Sequence, residues 1–257
     1  LAYTRRVSAL VGEAEADIEA AASLLEAEPL DRSGTVAVRA RDVRGTAGVD
    51  TQAAERELGR VLVGRDFEVD LSDPDHTLVA LFAGDVAALG WQVGTSVRGY
   101  GDRAPTDRPF FQPGSMDPLL ARAIGNLARI QPDDLVLDPM CGTGGLLIEV
   151  GLLGARPLGI DAQAKMVRGT RENLRAALGD ALVKTPGDTP LLARGDATAL
   201  PLPDDRVDAV VFDVPYGRQS KIETHGLTEL VRGALAEAGR VGSRAVVVAD
   251  RSYVVLA

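Results

Sequence analysis

The chain contains one cysteine (Cys141), two histidines (His76 and His225), three lysines (Lys165, Lys184 and Lys221) and only 4% aromatic residues. A lone cysteine excludes an internal disulfide and any cysteine-based zinc site within the chain. No metal ligands are assigned. No apolar run reaches the roughly 18 residues needed to cross a bilayer, and no basic-then-apolar leader is visible. Nothing therefore points to a membrane partner or to secretion, and a cytoplasmic location is expected. Neither histidine is given a role: His76 is expected to be exposed in the turn after Asp73, and His225 in a loop after the second motif described below.

Positive charge is also scarce. Lys and Arg total 28 against 37 Asp and Glu, for a formal net charge of −9. Acidic chains ordinarily repel nucleic acid, whose affinity rests on basic residues meeting phosphates. Here, however, 25 of the basic residues are Arg, and Asp outnumbers Glu by 24 to 13. That bias resembles the proteins of halophilic organisms, such as a halophilic archaeon. Near 1 M salt the Debye length is only about 3 Å, so average charge steers little. Local arginines, which grip phosphate with paired hydrogen bonds, then matter more. An RNA partner stays open.

The length, 257 residues, fits two domains. The first residue is Leu1 and the last segment, from Tyr253 to Ala257, stops within an apolar run, so both ends are expected to be cut. Residues 1–97 read as a small α+β unit: an Ala/Glu-rich helix over 8–26, a strand at 34–40, a helix from Asp50 or Thr51 to about 64, and strands at 67–71, 77–82 and 86–93. The second helix should bury Ala54, Leu58, Val61 and Leu62. Residues 98–112, rich in Gly, Pro and Arg, read as a linker. From 113 to 257 strands and helices alternate, beginning with a helix capped by Asp117 and Pro118. That pattern predicts an α/β, Rossmann-like domain: a mostly parallel sheet with helices on both faces.

Ligands on such sheets sit at the carboxyl ends of the strands. Asp138, Asp161, Asp196 and Asp213 all fall at or just beyond predicted strand ends. The first opens Asp138-Pro139-Met140-Cys141-Gly142-Thr143-Gly144-Gly145, a turn from strand to helix. Its glycines permit close backbone approach to a ligand. It is no P-loop, it misses the G-x-G-x-x-G spacing, and a carboxylate at its start opposes phosphate. A cationic, phosphate-free ligand such as S-adenosyl-L-methionine suits it. Asp161 lies about 20 residues on, where an acidic residue accepts from ribose hydroxyls; Asp196, followed by Ala197, is placed to accept from an adenine amino group. Each aspartate taken singly also reads as a helix cap. Cys141 reads as a small filler.

The second motif, Asp213-Val214-Pro215-Tyr216, follows an apolar strand. A carboxylate and a main-chain carbonyl there can accept both hydrogens of an exocyclic amine, stabilising the positive charge that develops on methylation. Tyr216 offers a stacking face for a base. Asp213, Val214, Pro215 and Tyr216 are the catalytic candidates.

These residues carry a family resemblance. The motifs Phe110-Phe111-Gln112-Pro113-Gly114-Ser115-Met116-Asp117, 138–145 and 213–218 are similar to those of the archaeal tRNA guanine-10 N2-methyltransferases, class I enzymes dependent on S-adenosylmethionine. Residues 35–93 resemble the RNA-binding THUMP domain of those enzymes. The resemblance implies transfer of one, then two methyl groups to N2 of a guanosine in tRNA. It implies a cofactor site of Pro113, Ser115, Asp138, Pro139, Met140, Gly142, Gly144, Asp161, Asp196, Ala197 and Asp213, with tRNA and a small zinc-binding activator subunit as partners. The common tetrapeptide is Asp-Pro-Pro-Tyr; Val214 departs from it at a position whose backbone, not side chain, does the chemistry. Other readings keep the amino-methyl transfer but act on ribosomal RNA or on adenine in DNA, or make the chain a catalytically silent RNA-binding protein.

Overall fold

The computed structural model describes residues 2–179, 191–214 and 226–249. They form two compact units, 4–96 and 97–249, the second joined by residues 2 and 3.

In the first unit, β1 (Arg6–Glu15), β2 (Gly34–Asp42), β3 (Phe67–Val69), β4 (His76–Ala83) and β5 (Val86–Thr95) form one sheet in the order β1-β5-β4-β2-β3. The helices α1 (Ile18–Ala27) and α2 (Thr51–Val63) bury Ala21, Ala22 and Leu25, and Ala54, Leu58, Val61 and Leu62, in one core with Val36, Leu78, Phe82, Leu89 and Trp91. The stripe expected on α2 is the one it buries, and Asp50 caps that helix by accepting from Gln52 and Ala53.

The helix expected over 8–26 is corrected in its first half. Residues from Arg6 to Glu15 are a strand, paired antiparallel with β5. Helix begins only at Ile18, where the Asp17 side chain accepts the Ala20 amide at 2.8 Å. The Ala/Glu composition of 8–15 favours helix locally, but the neighbouring ten-residue strand β5 offers a long ladder of backbone pairing, interrupted by two register shifts, and tertiary pairing wins. His76 is likewise corrected: it begins β4, half-buried, in an edge-to-face pair with Trp91 whose ring centroids lie 6.0 Å apart.

The second unit is built on five parallel strands in the order β10-β9-β6-β7-β8: β6 (Leu135–Asp138), β7 (Arg156–Asp161), β8 (Leu191–Arg194), β9 (Ala209–Asp213) and β10 (Ala245–Val248). The helices are α3 (Pro118–Leu127), α4 (Gly145–Gly151), α5 (Ala164–Leu178) and α6 (Leu227–Val241). Alternation along the central strands assigns their faces. Leu135, Leu137, Val210 and Phe212 pack with Val231, Ala234 and Ala238 of α6. Val136, Ala209 and Val211 pack with Ala121 and Ile124 of α3 and with Leu146 and Val150 of α4. Both faces are covered, so these strands are apolar throughout, as parallel strands require. The chain builds outward from β6 to β8, then returns to place β9 on the other side of β6. That reversal makes a crevice at the carboxyl ends of β6 and β9. Among the described residues no helix is long and apolar enough to cross a membrane.

Candidate functional site

Asp138, Asp161 and Asp213 are the last residues of β6, β7 and β9. Because these strands are parallel, all three carboxylates stand at one edge of the sheet, flanking the crevice. Asp138 is 2% exposed and its Oδ1 accepts the Met140 amide at 3.1 Å. Burial pushes its carboxyl well above the usual range; the negative charges of Asp161 and Asp213 push it further, against the pull of the Met140 bond.

Asp161 clasps the glycine-rich turn. Its Oδ2 accepts the Gly142 amide at 2.9 Å and its Oδ1 accepts the Gln163 amide at 2.8 Å. The Cys141 amide donates to the Ile160 carbonyl at 2.9 Å, so the turn is also bonded to strand β7 through its backbone. Gly144 starts α4 at φ +79°, and a Cβ there would come within 2.7 Å of Thr170 Cγ2. Both the dihedral and the space call for glycine. Asp196 lies just past β8; its Oδ1 accepts from the Thr198 amide and hydroxyl, both at 2.8 Å, while Gly195 donates to the Asp161 carbonyl at 3.1 Å. Ala197 is buried behind it.

Residues 108–116 pack onto this turn. Ser115 Oγ lies 3.0 Å from Thr143 Oγ1. Asn173 of α5 ties three strands of chain together: its Oδ1 accepts the Phe110 amide at 2.9 Å, and its Nδ2 donates to the carbonyls of Phe110 at 2.8 Å and Thr143 at 2.9 Å. Pro113 is exposed and Pro139 buried. Behind the turn, the carboxylate of Glu149, 1% exposed, is gripped by Arg103 at 2.8 Å and Arg122 at 2.8 Å. Cys141 is buried, and burial with the nearby Asp138 and Asp161 charges raises its thiol well above the ordinary range. A thiol so held is no nucleophile at neutral pH.

The sequence-derived set is thus brought together at Asp138, Met140, Gly142, Gly144 and Asp161, with Ser115 against the turn and Asp196 one strand along. Asp213 is half-buried, Val214 is buried, and the Val214 amide donates to the Val248 carbonyl at 2.9 Å. Pro215, Tyr216 and His225 lie outside the described residues. Motif reading passed over Asn173, Thr170, Glu149 and the arginines of 103–122. Glu149 carried a signal: a lone carboxylate inside the apolar run Leu146-Leu147-Ile148-Glu149-Val150 must find cationic partners. Among the described residues no group of three or more His, Cys, Asp or Glu is arranged to hold a metal ion.

Asp138 makes a pH prediction that needs no ligand. A raised folded-state value means ionisation is penalised in the folded chain. The cost is absent below the unfolded value of about 3.9, grows as pH rises past it, and is constant above the folded value. Each unit of elevation is worth about 1.4 kcal/mol. The stability of Asp138→Asn relative to the parent should therefore rise between pH 4 and pH 8 in denaturant titrations. A difference that stays flat with pH would show that Asp138 is not raised.

Residues 105–255 match the family described as the RMKL-like methyltransferase domain. The tRNA (guanine(10)-N2)-dimethyltransferase of Methanothermobacter thermautotrophicus is 38% identical over 221 residues, which are 84% of this chain and 62% of the relative. The enzyme of the same name from Methanocaldococcus jannaschii is 34% identical over 194 residues, 73% of this chain and 55% of the relative. This chain therefore spans about three-fifths or less of the length of these curated relatives. Among solved structures, TrmN from Thermus thermophilus is similar at 26% identity and a TM-score of 0.41, covering 89% of this chain and 67% of that one.

Proposed function

The chain belongs to the RMKL-like methyltransferase domain family, and from that premise we propose that it methylates the exocyclic N2 of a guanosine in tRNA, at position 10, first once and then twice. The donor is S-adenosylmethionine, which supplies an electrophilic methyl group on a sulfonium. What supports the substrate is the tRNA (guanine(10)-N2)-dimethyltransferase activity named for the relatives at 38% and 34% identity, together with the motif 213–216.

One observation carries the cofactor. The groups whose charges act on the buried Asp138 are Asp161 and Asp213, both acidic. Carboxylates gathered at a crevice, one of them held towards its neutral form, favour a cationic ligand and disfavour a pyrophosphate. The neighbouring turn is glycine-rich, with Gly142 at φ +52° and Gly144 at φ +79°, and so admits close backbone approach. The residues fit the group: Asp138, Pro139, Met140, Gly142 and Gly144 line the turn, Asp161 and Asp196 serve the nucleoside, and Pro113 and Ser115 close it from the adjoining segment.

At the other side of the crevice, Asp213 accepts one N–H of the guanine amine and a main-chain carbonyl at 214 or 215 accepts the other. These bonds localise the nitrogen lone pair and stabilise the developing charge. No strong base is needed, because a methylated ammonium is acidic. Val214 takes no part through its side chain, which is buried. Residues 1–97 act as the RNA-binding region, of THUMP type, and 113–257 as the methyltransferase domain. The zinc-binding activator expected from the resemblance would join the full-length protein in a salt-rich cytoplasm.

The test is methylation of unmodified tRNA transcripts by full-length protein in molar salt, followed by digestion and mass spectrometry of nucleosides. N2-methylguanosine and N2,N2-dimethylguanosine at position 10 are expected. Label confined to adenine in DNA, or to ribosomal RNA, would overturn the substrate.

A further inference from the structure

Arg108 holds two buried nitrogens, Nε and Nη1, that have no hydrogen-bond partner. The guanidinium packs against the end of the glycine-rich turn: a Cβ on Gly145 would lie 3.0 Å from its Nη1. Its remaining nitrogen, Nη2, donates a 3.3 Å bond to the Arg103 carbonyl. Burial and the charge of Arg103 lower its pKa from the ordinary arginine value, although Glu149 and Asp117 oppose that.

The nearby buried carboxylate does not answer this need. Both oxygens of Glu149 are engaged by Arg103 and Arg122. Three guanidiniums thus share the neighbourhood of one buried carboxylate, and the third, Arg108, has no carboxylate partner and keeps two nitrogens unbonded. An unpaired buried charge of this kind is costly and calls for an anion. The acidic edge at Asp138, Asp161 and Asp213 makes a multiply charged anion such as pyrophosphate a poor candidate. An anion suited to both surroundings is a single carboxylate on a molecule that also carries positive charge.

One turn meets both requirements, with the buried Asp138 at its start and Arg108 beside Gly145 at its end. We infer that Arg108 is the anchor for the carboxylate of the cofactor's amino-acid moiety, opposite in charge to the aspartate edge that faces its cationic groups. The inference rests on the proposed S-adenosylmethionine site and adds to it the residue that tells an amino-acid-bearing nucleoside from a bare one. Arg108 is half-buried and loses little by turning, since its one bond to Arg103 is long. Glycine at 145 admits the guanidinium, which a Cβ there would crowd at 3.0 Å. The segment 108–116 then becomes part of the cofactor pocket rather than a passive connection, and the bonds of Asn173 and Ser115 hold it at the turn.

The measurement is calorimetric binding of two ligands to the full chain: S-adenosylhomocysteine, which has the amino-acid moiety, and 5′-methylthioadenosine, which lacks it. Arg108→Met keeps the apolar stem and removes the charge. Charge-assisted hydrogen bonds contribute about 1.5–3 kcal/mol, so S-adenosylhomocysteine should weaken roughly 10- to 150-fold. Binding of 5′-methylthioadenosine should change less than about twofold by the same argument, since it offers no carboxylate. Arg108→Lys should restore part of the loss. Equal weakening of both ligands would make Arg108 merely structural and overturn the inference. So would unchanged binding of S-adenosylhomocysteine. A parent protein that binds neither ligand overturns the cofactor reading itself, and with it this assignment.

Discussion

Asp213→Asn is expected to cut methyl transfer roughly a thousandfold while S-adenosylhomocysteine still binds within about threefold of the parent, as for loss of one pre-organised group that acts on developing charge. The substitution keeps shape and removes the charge. In the ground state the guanine amine is planar and weakly basic, so a carboxylate gains little from meeting it. As the new bond forms the nitrogen becomes positive, and the same carboxylate then interacts far more strongly. An interaction made chiefly in the transition state lowers turnover without lowering affinity. The backbone at this point is fixed independently of that charge: β9 pairs with β10 through Asp213, and the Val214 amide is bonded to Val248. A fold change is therefore not the expected route of the loss. Single-turnover rates with saturating cofactor, set beside calorimetric affinity, separate the two. Turnover within tenfold of the parent would remove Asp213 from the chemistry.

The second unit was legible because its sequence patterns are redundant. Each central strand is a short apolar run, each ends in aspartate or at a turn, and Asp117-Pro118 marks a helix start that the structure keeps. The strand-end aspartates were legible for the same reason, since parallel strands in sequence must place their carboxyl ends together. Two things were not. The strand at 6–15 is set by a partner some eighty residues away, and no local periodicity records that pairing. The arginine cluster was hidden in a segment whose Gly and Pro content reads as loop. Short helical turns at Gly101–Arg103 and Pro105–Asp107 instead present Arg103 to Glu149 and bring Arg108 to Gly145. Composition reports where regular structure stops; it does not report what the side chains of an irregular segment touch.

Glu149→Ala should produce the largest loss of stability in the second unit. The carboxylate, 1% exposed, joins Arg122 of α3 and Arg103 of the Gly101–Arg103 turn to α4. Removing it leaves Arg103 and Arg122 without their shared carboxylate, with the Arg108 charge close by. Breaking a buried pair from one side costs about 3–5 kcal/mol. Arg103 and Arg122 keep 25% and 15% of their side-chain surface exposed, which places the loss near the lower end. For a unit of this size each kcal/mol moves the midpoint by about 2–4 °C, so melting should fall by roughly 6–12 °C in calorimetry. Glu149→Gln should recover only part of it, because an amide keeps one acceptor and turns its other end into a donor. Glu57→Gln, which breaks the exposed pair with Arg60, serves as the contrast and should leave melting close to the parent value. The same variant tests how the cluster serves the site. With Glu149 gone, Arg103 and Arg122 no longer fix the residues that carry Arg108, and S-adenosylhomocysteine should bind more weakly at a temperature where the unit remains folded. Melting within about 2 °C of the parent, well under the shift of one kcal/mol per partner lost, would mean that the segment is held at the turn by Asn173 and Ser115 alone.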